Sequence, residues 1–179
     1  MPRPVVIHDY DPSWPAMFER ERARIQEALA GRGAVVEHVG STAVPGLGAK
    51  PIIDILIGVA NLQEADGCVP CLVALGYTYF PEHEAEIPDR RYLDRQGEDG
   101  SYHVHMVEIG GDFWERHLLF RDYLRAHPEV AAEYDRLKRD LAQRYGTDRE
   151  GYTNAKTDFV RAIEERARRD RPRGCSPAP

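Results

Sequence analysis

The spacing of apolar residues changes several times along this chain, and each change marks an element. From Ser13 to about Ala30 the residues Trp14, Met17, Ile25 and Leu29 recur on a helical period. Ser13 offers a cap, Pro15 suits a first turn, and Gly31 and Gly33 end the pattern. Before this helix a short β-branched run, Val5 to Ile7, reads as an edge strand. After it, Ala34 to Val39 has β character and runs into Gly40, Ser41 and the Pro/Gly-rich stretch STAVPGLGAKP. Pro51 to Val59 (PIIDILIGV) is a nearly continuous β-branched run, the pattern of a strand buried on both faces.

A helix over Leu62 to Leu75 is closed by Gly76, and strands follow at Tyr77 to Phe80, Arg90 to Asp94 and Tyr102 to Glu108. QGEDGS makes the hairpin turn between the last two. Beyond Gly110 and Gly111 the pattern is wholly helical: Phe113 to about Ala126, Pro128 to about Tyr145, and Asp148 to about Arg169. The chain therefore divides into a sheet-containing region to about residue 110 and a helical region over 111–168, packed as one unit, with 169–179 expected as a disordered tail. His117 and Arg121, four residues apart on the first of these helices, are expected on a solvated face, and Phe113, Trp114, Phe120 and Tyr123 in the core.

Composition narrows the function classes. Lys and Arg total 24 against 30 Asp and Glu, a formal net charge of -6, which gives no basic footprint for nucleic acid. No apolar run reaches the length of a membrane span and the first residues lack the regions of a secretory signal, so a cytoplasmic protein is expected. Cys68 and Cys71 fall inside a helix with no second Cys or His pair nearby and read as helix-face thiols. Only Lys50, Lys138 and Lys156 are lysines among the cations.

The candidate chemistry begins at Asp54. A carboxylate inside PIIDILIGV costs several kcal/mol if buried alone, so it is expected to be hydrogen-bonded, paired or metal-bound. Strand alternation puts Asp54 on a face with Leu56 and Gly58, while Ile53, Ile55 and Ile57 point into the core. Gly40 and the amides around Ser41 are a second element, suited to phosphate. A Walker A loop is excluded, because Pro51 follows Lys50 where Ser or Thr should stand. In HVHMVE, His103 and His105 share a strand face, the spacing of a transition-metal pair, and Glu108 breaks that parity. One of Glu37 and His38 is expected to face the same notch, and Arg90 and Arg91 to pair with the acidic EHEAEIPD. Lys156 lies one turn from Tyr152.

Three segments in order, EHVGSTAVPGLGAKPIIDILIGV, YHVHMVE and HLLFRDYLRAHPEVAAEYDRLKRDLAQRYGTDREGYTNAKTDF, resemble the GrpB family over about Val5 to Ile163. A similar domain is fused behind dephospho-CoA kinase in some bacteria, where it is thought to assist that enzyme's folding. GrpB proteins in turn resemble the nucleotidyltransferase superfamily related to polymerase beta. Its signature is a strand ending in Gly-Ser, a loop and helix, then a strand with two carboxylates one residue apart. Gly40 and Ser41 match, twelve residues separate Ser41 from Asp54, and Asp54 matches the first carboxylate.

The resemblance implies an α+β fold, a nucleotidyltransferase-like mixed sheet flanked by helices over residues 1–168, with a helix starting near Ser41. Gly40, Ser41 and Lys156 would then hold a nucleoside triphosphate, and Asp54 would be the catalytic carboxylate acting toward an acceptor of unspecified identity. The second carboxylate position is Leu56 and the third falls in HVHMVE, so the usual magnesium pair is incomplete. A divalent metal, Mg²⁺, Mn²⁺ or Zn²⁺, is expected on Asp54, His103 and His105, with Glu108 as a further candidate. The alternative is a non-catalytic binding or folding-assistance module on the same scaffold.

Overall fold

The computed structural model describes residues 4–170, so most of the expected C-terminal tail lies outside the described residues. Five strands form one sheet in the order β1-β2-β5-β4-β3: β1 Val35–Val39, β2 Ile52–Val59, β3 Thr78–Tyr79, β4 Arg90–Gly97 and β5 Gly100–Glu108. β2 and β5 pair in parallel and every other pair is antiparallel, which makes the sheet mixed. The β-branched run of β2 is central because both its edges are hydrogen-bonded and both its faces are covered.

One face carries Ile53, Ile55, Ile57, Val104 and Met106 against helices α1 (Trp14–Ala28) and α2 (Leu62–Ala74), which contribute Trp14, Phe18, Ile25, Cys68 and Leu72. The opposite face is covered at β1, β2 and the end of β5 by α3 (Asp112–Ala126), whose Trp114 packs on Val39, Leu56 and Val107. Gly58 is where that ring lies closest: a Cβ there would sit 2.5 Å from Trp114. α4 (Pro128–Tyr145), α5 (Arg149–Ala155) and α6 (Thr157–Asp170) complete the helical layer, with Tyr134, Leu141, Tyr152 and Ile163 buried. Among the described residues no helix is long and apolar enough to cross a membrane.

Three expectations are corrected. Val5 to Ile7 form no strand; Val5 donates its amide to the Gly146 carbonyl (2.9 Å) and packs on Leu141 and Tyr152, while His8 makes a single bridge with Ala49. No full helix follows Ser41, only a 3-10 turn over Ser41–Ala43, since Pro45 holds Val44 in extended backbone. The last predicted helix is two, α5 and α6, broken at Lys156, with Asp148 capping the Gly151 amide at the start of α5. Cys68 and Cys71 lie on α2, as expected, with no disulfide among the described residues.

The sheet also buries one carboxylate at its far edge. Glu21 of α1 is 1% exposed and accepts from Tyr77 Oη (2.7 Å), Arg24 (2.8 Å) and Arg95 (2.9 Å). Removing it strands partly buried donors, so Glu21→Ala is expected to cost about 3 kcal/mol and lower Tm by about 6–12 °C, read by calorimetry. A loss under about 1 kcal/mol would contradict this reading of the cluster.

Candidate functional site

Asp54 lies where β1 ends and β2 begins its buried stretch, paired with Val39 in register and followed across the sheet by His103 of β5. Directly after Val39 the chain turns through Gly40 at φ 73°, a left-handed conformation suited to glycine. A Cβ at this position would stand 2.6 Å from Asp54 Oδ2, so glycine is required both by the turn and by the carboxylate beneath it. Thr42 fixes the loop from inside. Its hydroxyl donates to the Ile52 carbonyl (3.4 Å), which leaves it to accept from His38 Nε2 (2.9 Å). Burial pushes the His38 imidazole down to about 3, and neighbouring Arg125 and Arg121 add to this, so His38 is a neutral structural donor.

Above Asp54 is a cavity of about 180 Å³ into which Gly40, Ser41, Lys50, His103, Lys138 and Lys156 converge, walled by Tyr134 and Tyr152. Every lysine of the sequence is therefore in this one place. Lys50 comes from the loop before β2, Lys138 from α4, and Lys156 from the break between α5 and α6. Lys138 is 2% exposed; its ammonium donates to Ser41 Oγ (3.0 Å) and to the Gly48 carbonyl, clasping α4 to both ends of the loop. Its nitrogen stands 4.9 Å from the Tyr134 ring centre, and that of Lys156 4.3 Å from the Tyr152 ring.

Burial sets the electrostatics. It raises Asp54 to about 6, against the pull of Lys50 and Lys156, although a third of the side chain remains exposed to the cavity. It lowers Lys138 to about 7, Lys156 to about 8, and also Lys50, the last two being partly restored by Asp54. His103 Nδ1 is 3.6 Å from Asp54 Oδ1, and burial together with Lys50 pushes its imidazole down to about 4. At neutral pH this is a neutral imidazole beside a carboxylate, the form that ligates a metal. The site is thus a cationic recess over a single carboxylate.

Of the residues singled out in the sequence, Gly40, Ser41, Asp54, His103 and Lys156 meet in the cavity. His105 does not line it. Two residues further along β5, it is half-buried beside Tyr92, Phe113 and His117, with Arg90 3.4 Å from its Nδ1. Glu108 is exposed at the end of β5, opposite Val59. Among the described residues no three His, Cys, Asp or Glu side chains are grouped to hold a metal ion. Leu56, in the place of a second carboxylate, is fully buried with Val39, Val107 and Trp114. The two-magnesium arrangement therefore does not fit these residues.

The notch takes neither Glu37 nor His38. His38 stacks on Phe18 (4.6 Å) on the far face, and Glu37 pairs with Arg121 (2.6 Å). Arg121 and His117 do not form a solvated face: Arg121 is mostly buried and also donates to the His38 carbonyl, while His117 stacks on Phe113 (3.9 Å). For Glu37, Arg121 and His117 the cause is α3 lying across the sheet, whereas His38 is held on the other face by Phe18 of α1. Arg91 meets Glu84 (3.4 Å) as expected, with Asp66 as a closer partner (2.5 Å), whereas Arg90 makes no ion pair among the described residues. Lys50 and Lys138, which stood out in the sequence only through the scarcity of lysine, also line the cavity with Tyr134 and Tyr152, and none of the four was assigned to the site from sequence.

With fold and cavity in view, the chain's family is plain. The chain belongs to the GrpB family, whose profile, described as GrpB protein, matches residues 4–166. It is 40% identical over 167 residues to UPF0157 protein YqkA of Bacillus subtilis, covering 93% of this chain but only 48% of that one. The chain thus spans about half the length of that relative. It is 35% identical over 187 residues to a dephospho-CoA kinase of Mycolicibacterium paratuberculosis, covering 92% of this chain and 46% of that enzyme. Among solved structures it resembles the conserved protein GrpB from Enterococcus faecalis, at 36% identity and a TM-score of 0.80, over 90% of this chain and 96% of that one.

The raised pKa of Asp54 has a measurable consequence. Protonation is favoured in the folded state, so the stability tied to Asp54 is fully present below about pH 4 and is lost as pH rises through about 6. Asp54→Asn is expected to be more stable than wild type at pH 8, with the gap closing toward pH 4, in paired melting curves. A gap that widens as pH falls would contradict the burial argument.

Proposed function

We propose that this chain binds a nucleoside triphosphate in the lysine cavity, its phosphates on Ser41, Lys50, Lys138 and Lys156, with one divalent cation between Asp54 and His103. The observation that carries this reading is the convergence of every lysine in the sequence, with a serine hydroxyl, over a single carboxylate. Ammonium groups held near pKa 7 to 8 by burial gain from an arriving polyanion, because it replaces the water they have lost. A recess of about 180 Å³ suits the phosphates, leaving sugar and base outside it.

Asp54 and His103, 3.6 Å apart, would hold the cation, Mg²⁺, Mn²⁺ or Zn²⁺, together with oxygens of the ligand. Such an ion, when bound, polarises phosphoryl oxygens. The lysines take the charge burden that a second ion carries elsewhere. The reaction served by this placement is nucleotidyl transfer: an acceptor hydroxyl attacks the α-phosphorus, a new P–O bond forms, the bond to the bridging oxygen breaks and pyrophosphate leaves, with the hydroxyl proton passing to water. Lys138 and Lys156 stabilise the departing negative charge.

A second reading has its own support. Leu56 supplies no metal ligand, and a relative carrying a similar segment is a dephospho-CoA kinase more than twice as long as that segment. Both fit a binding or folding-assistance module that kept the phosphate recess without turnover.

The experiment is a thermal-shift and calorimetric screen of ATP, CTP, GTP and UTP with Mg²⁺, Mn²⁺ and Zn²⁺, on wild type and Asp54→Ala. A ligand at 100 times its Kd stabilises by about 2.7 kcal/mol, or about 5–10 °C for a chain of this size. A metal-dependent shift lost in Asp54→Ala is the expected result. If no nucleotide shifts wild type with any metal, the transferase reading falls and the folding-assistance reading takes its place.

A further inference from the structure

Next to the lysine cavity, on the same open face of the sheet, the cross-strand row that contains Asp54 continues. Asp54 pairs with His103, and His103 pairs on its other side with Asp94 of β4. Residues directly opposite one another share a sheet face, so two carboxylates flank one imidazole across three strands. Asp94 has neither a hydrogen bond nor an ion pair from its carboxylate among the described residues, unlike Glu21 or Asp66 elsewhere on the sheet. Burial pushes its carboxyl above the usual range.

Rings continue from the same point. Tyr92 is 5.6 Å from His103 and 5.0 Å from His83 between centres, and Phe80 stands 5.7 Å from Tyr92. Phe80, His83 and Tyr92, with Arg90 and Asp94, line a recess of about 220 Å³. The guanidinium of Arg90 lies 5.2 Å from the Tyr92 ring centre, and its Nε has no hydrogen-bond partner among the described residues. This is an aromatic wall with an unpaired carboxylate at one side and an under-partnered cation at the other. It begins where the lysine cavity ends, because His103 lines that cavity and Tyr92 touches His103.

We propose that the recess bounded by Phe80, His83, Tyr92, Arg90 and Asp94 is a subsite for a planar nitrogen heterocycle, the nucleobase of the ligand whose phosphates occupy the lysine cavity. Tyr92 and the neighbouring rings supply sequence-tolerant stacking, and Asp94 accepts a hydrogen bond from an N–H on the edge of the base. The identity of the heterocycle as a nucleobase rests on the proposed triphosphate reading; the ring subsite itself rests on the geometry of β4 and β5.

The test is calorimetric titration, at pH 7 with Mg²⁺, of inorganic triphosphate, the four nucleosides and the four nucleoside triphosphates into wild type, Tyr92→Leu and Asp94→Asn. The leucine keeps apolar volume on β4 and the asparagine keeps shape, and melting curves establish that both variants fold. The expected result is that at least one nucleoside triphosphate binds about tenfold or more tightly than inorganic triphosphate, and that each variant removes this advantage while leaving inorganic triphosphate binding unchanged. Equal binding of nucleotide and inorganic triphosphate by wild type would overturn the proposal, as would variants that weaken both ligands in parallel. Nucleoside binding sensitive to Tyr92, with no binding of inorganic triphosphate, would keep the ring subsite and remove the phosphate reading. No binding of any nucleoside or nucleotide would remove both.

Discussion

One charge arrangement organises this molecule: three lysines from three separate segments held over a single carboxylate on the central strand. Asp54 sits on β2 among isoleucines, and Lys50 and Lys156 offset part of the cost of its burial. Lys138 does the mechanical part. Its ammonium bonds Ser41 and the Gly48 carbonyl, so the helical layer is tied to the loop that roofs the carboxylate. Where α5 gives way to α6, the chain delivers Lys156 to the same place, and buried Tyr152 gives that ammonium an aromatic wall.

That arrangement explains how the site differs from a metal-pair centre on a similar strand. The next residue on the same face of β2 is Leu56, sealed by Trp114 of α3, so negative charge is confined to one position. Positive charge is correspondingly supplied by side chains. Burial lowers the pKa of all three ammonium groups, so an anion placed among them would favour their charged form. The neutral His103 then links two regions of different character, a cationic recess on one side and an aromatic wall on the other.

Much of the sheet could be read from the sequence because its signals are local. The β-branched run over Ile52–Val59, the Gly-Ser turn and the parity of His103 each depend on neighbours within a few residues. Asp54 stood out for the same reason, as one charge in an apolar strand. What escaped depends on contacts distant along the chain. Lys138 is one charged residue on an amphipathic helix until α4 is placed over residues nearly a hundred positions earlier. His105 has the same parity as His103, yet α3 covers one and leaves the other at the cavity. The break at Lys156 and the pairing of Val5 with Gly146 likewise come from packing, which periodicity does not encode.

Whether the lysines and Asp54 hold phosphates is decided by a crystal structure with a non-hydrolysable nucleoside triphosphate analogue and Mn²⁺, the metal located by anomalous scattering. Phosphate oxygens are expected within hydrogen-bond distance of Ser41, Lys138 and Lys156, and the manganese peak between Asp54 and His103. Phosphates bound instead among Arg22, Arg121 and Arg125, on the other side of the loop, would contradict this placement.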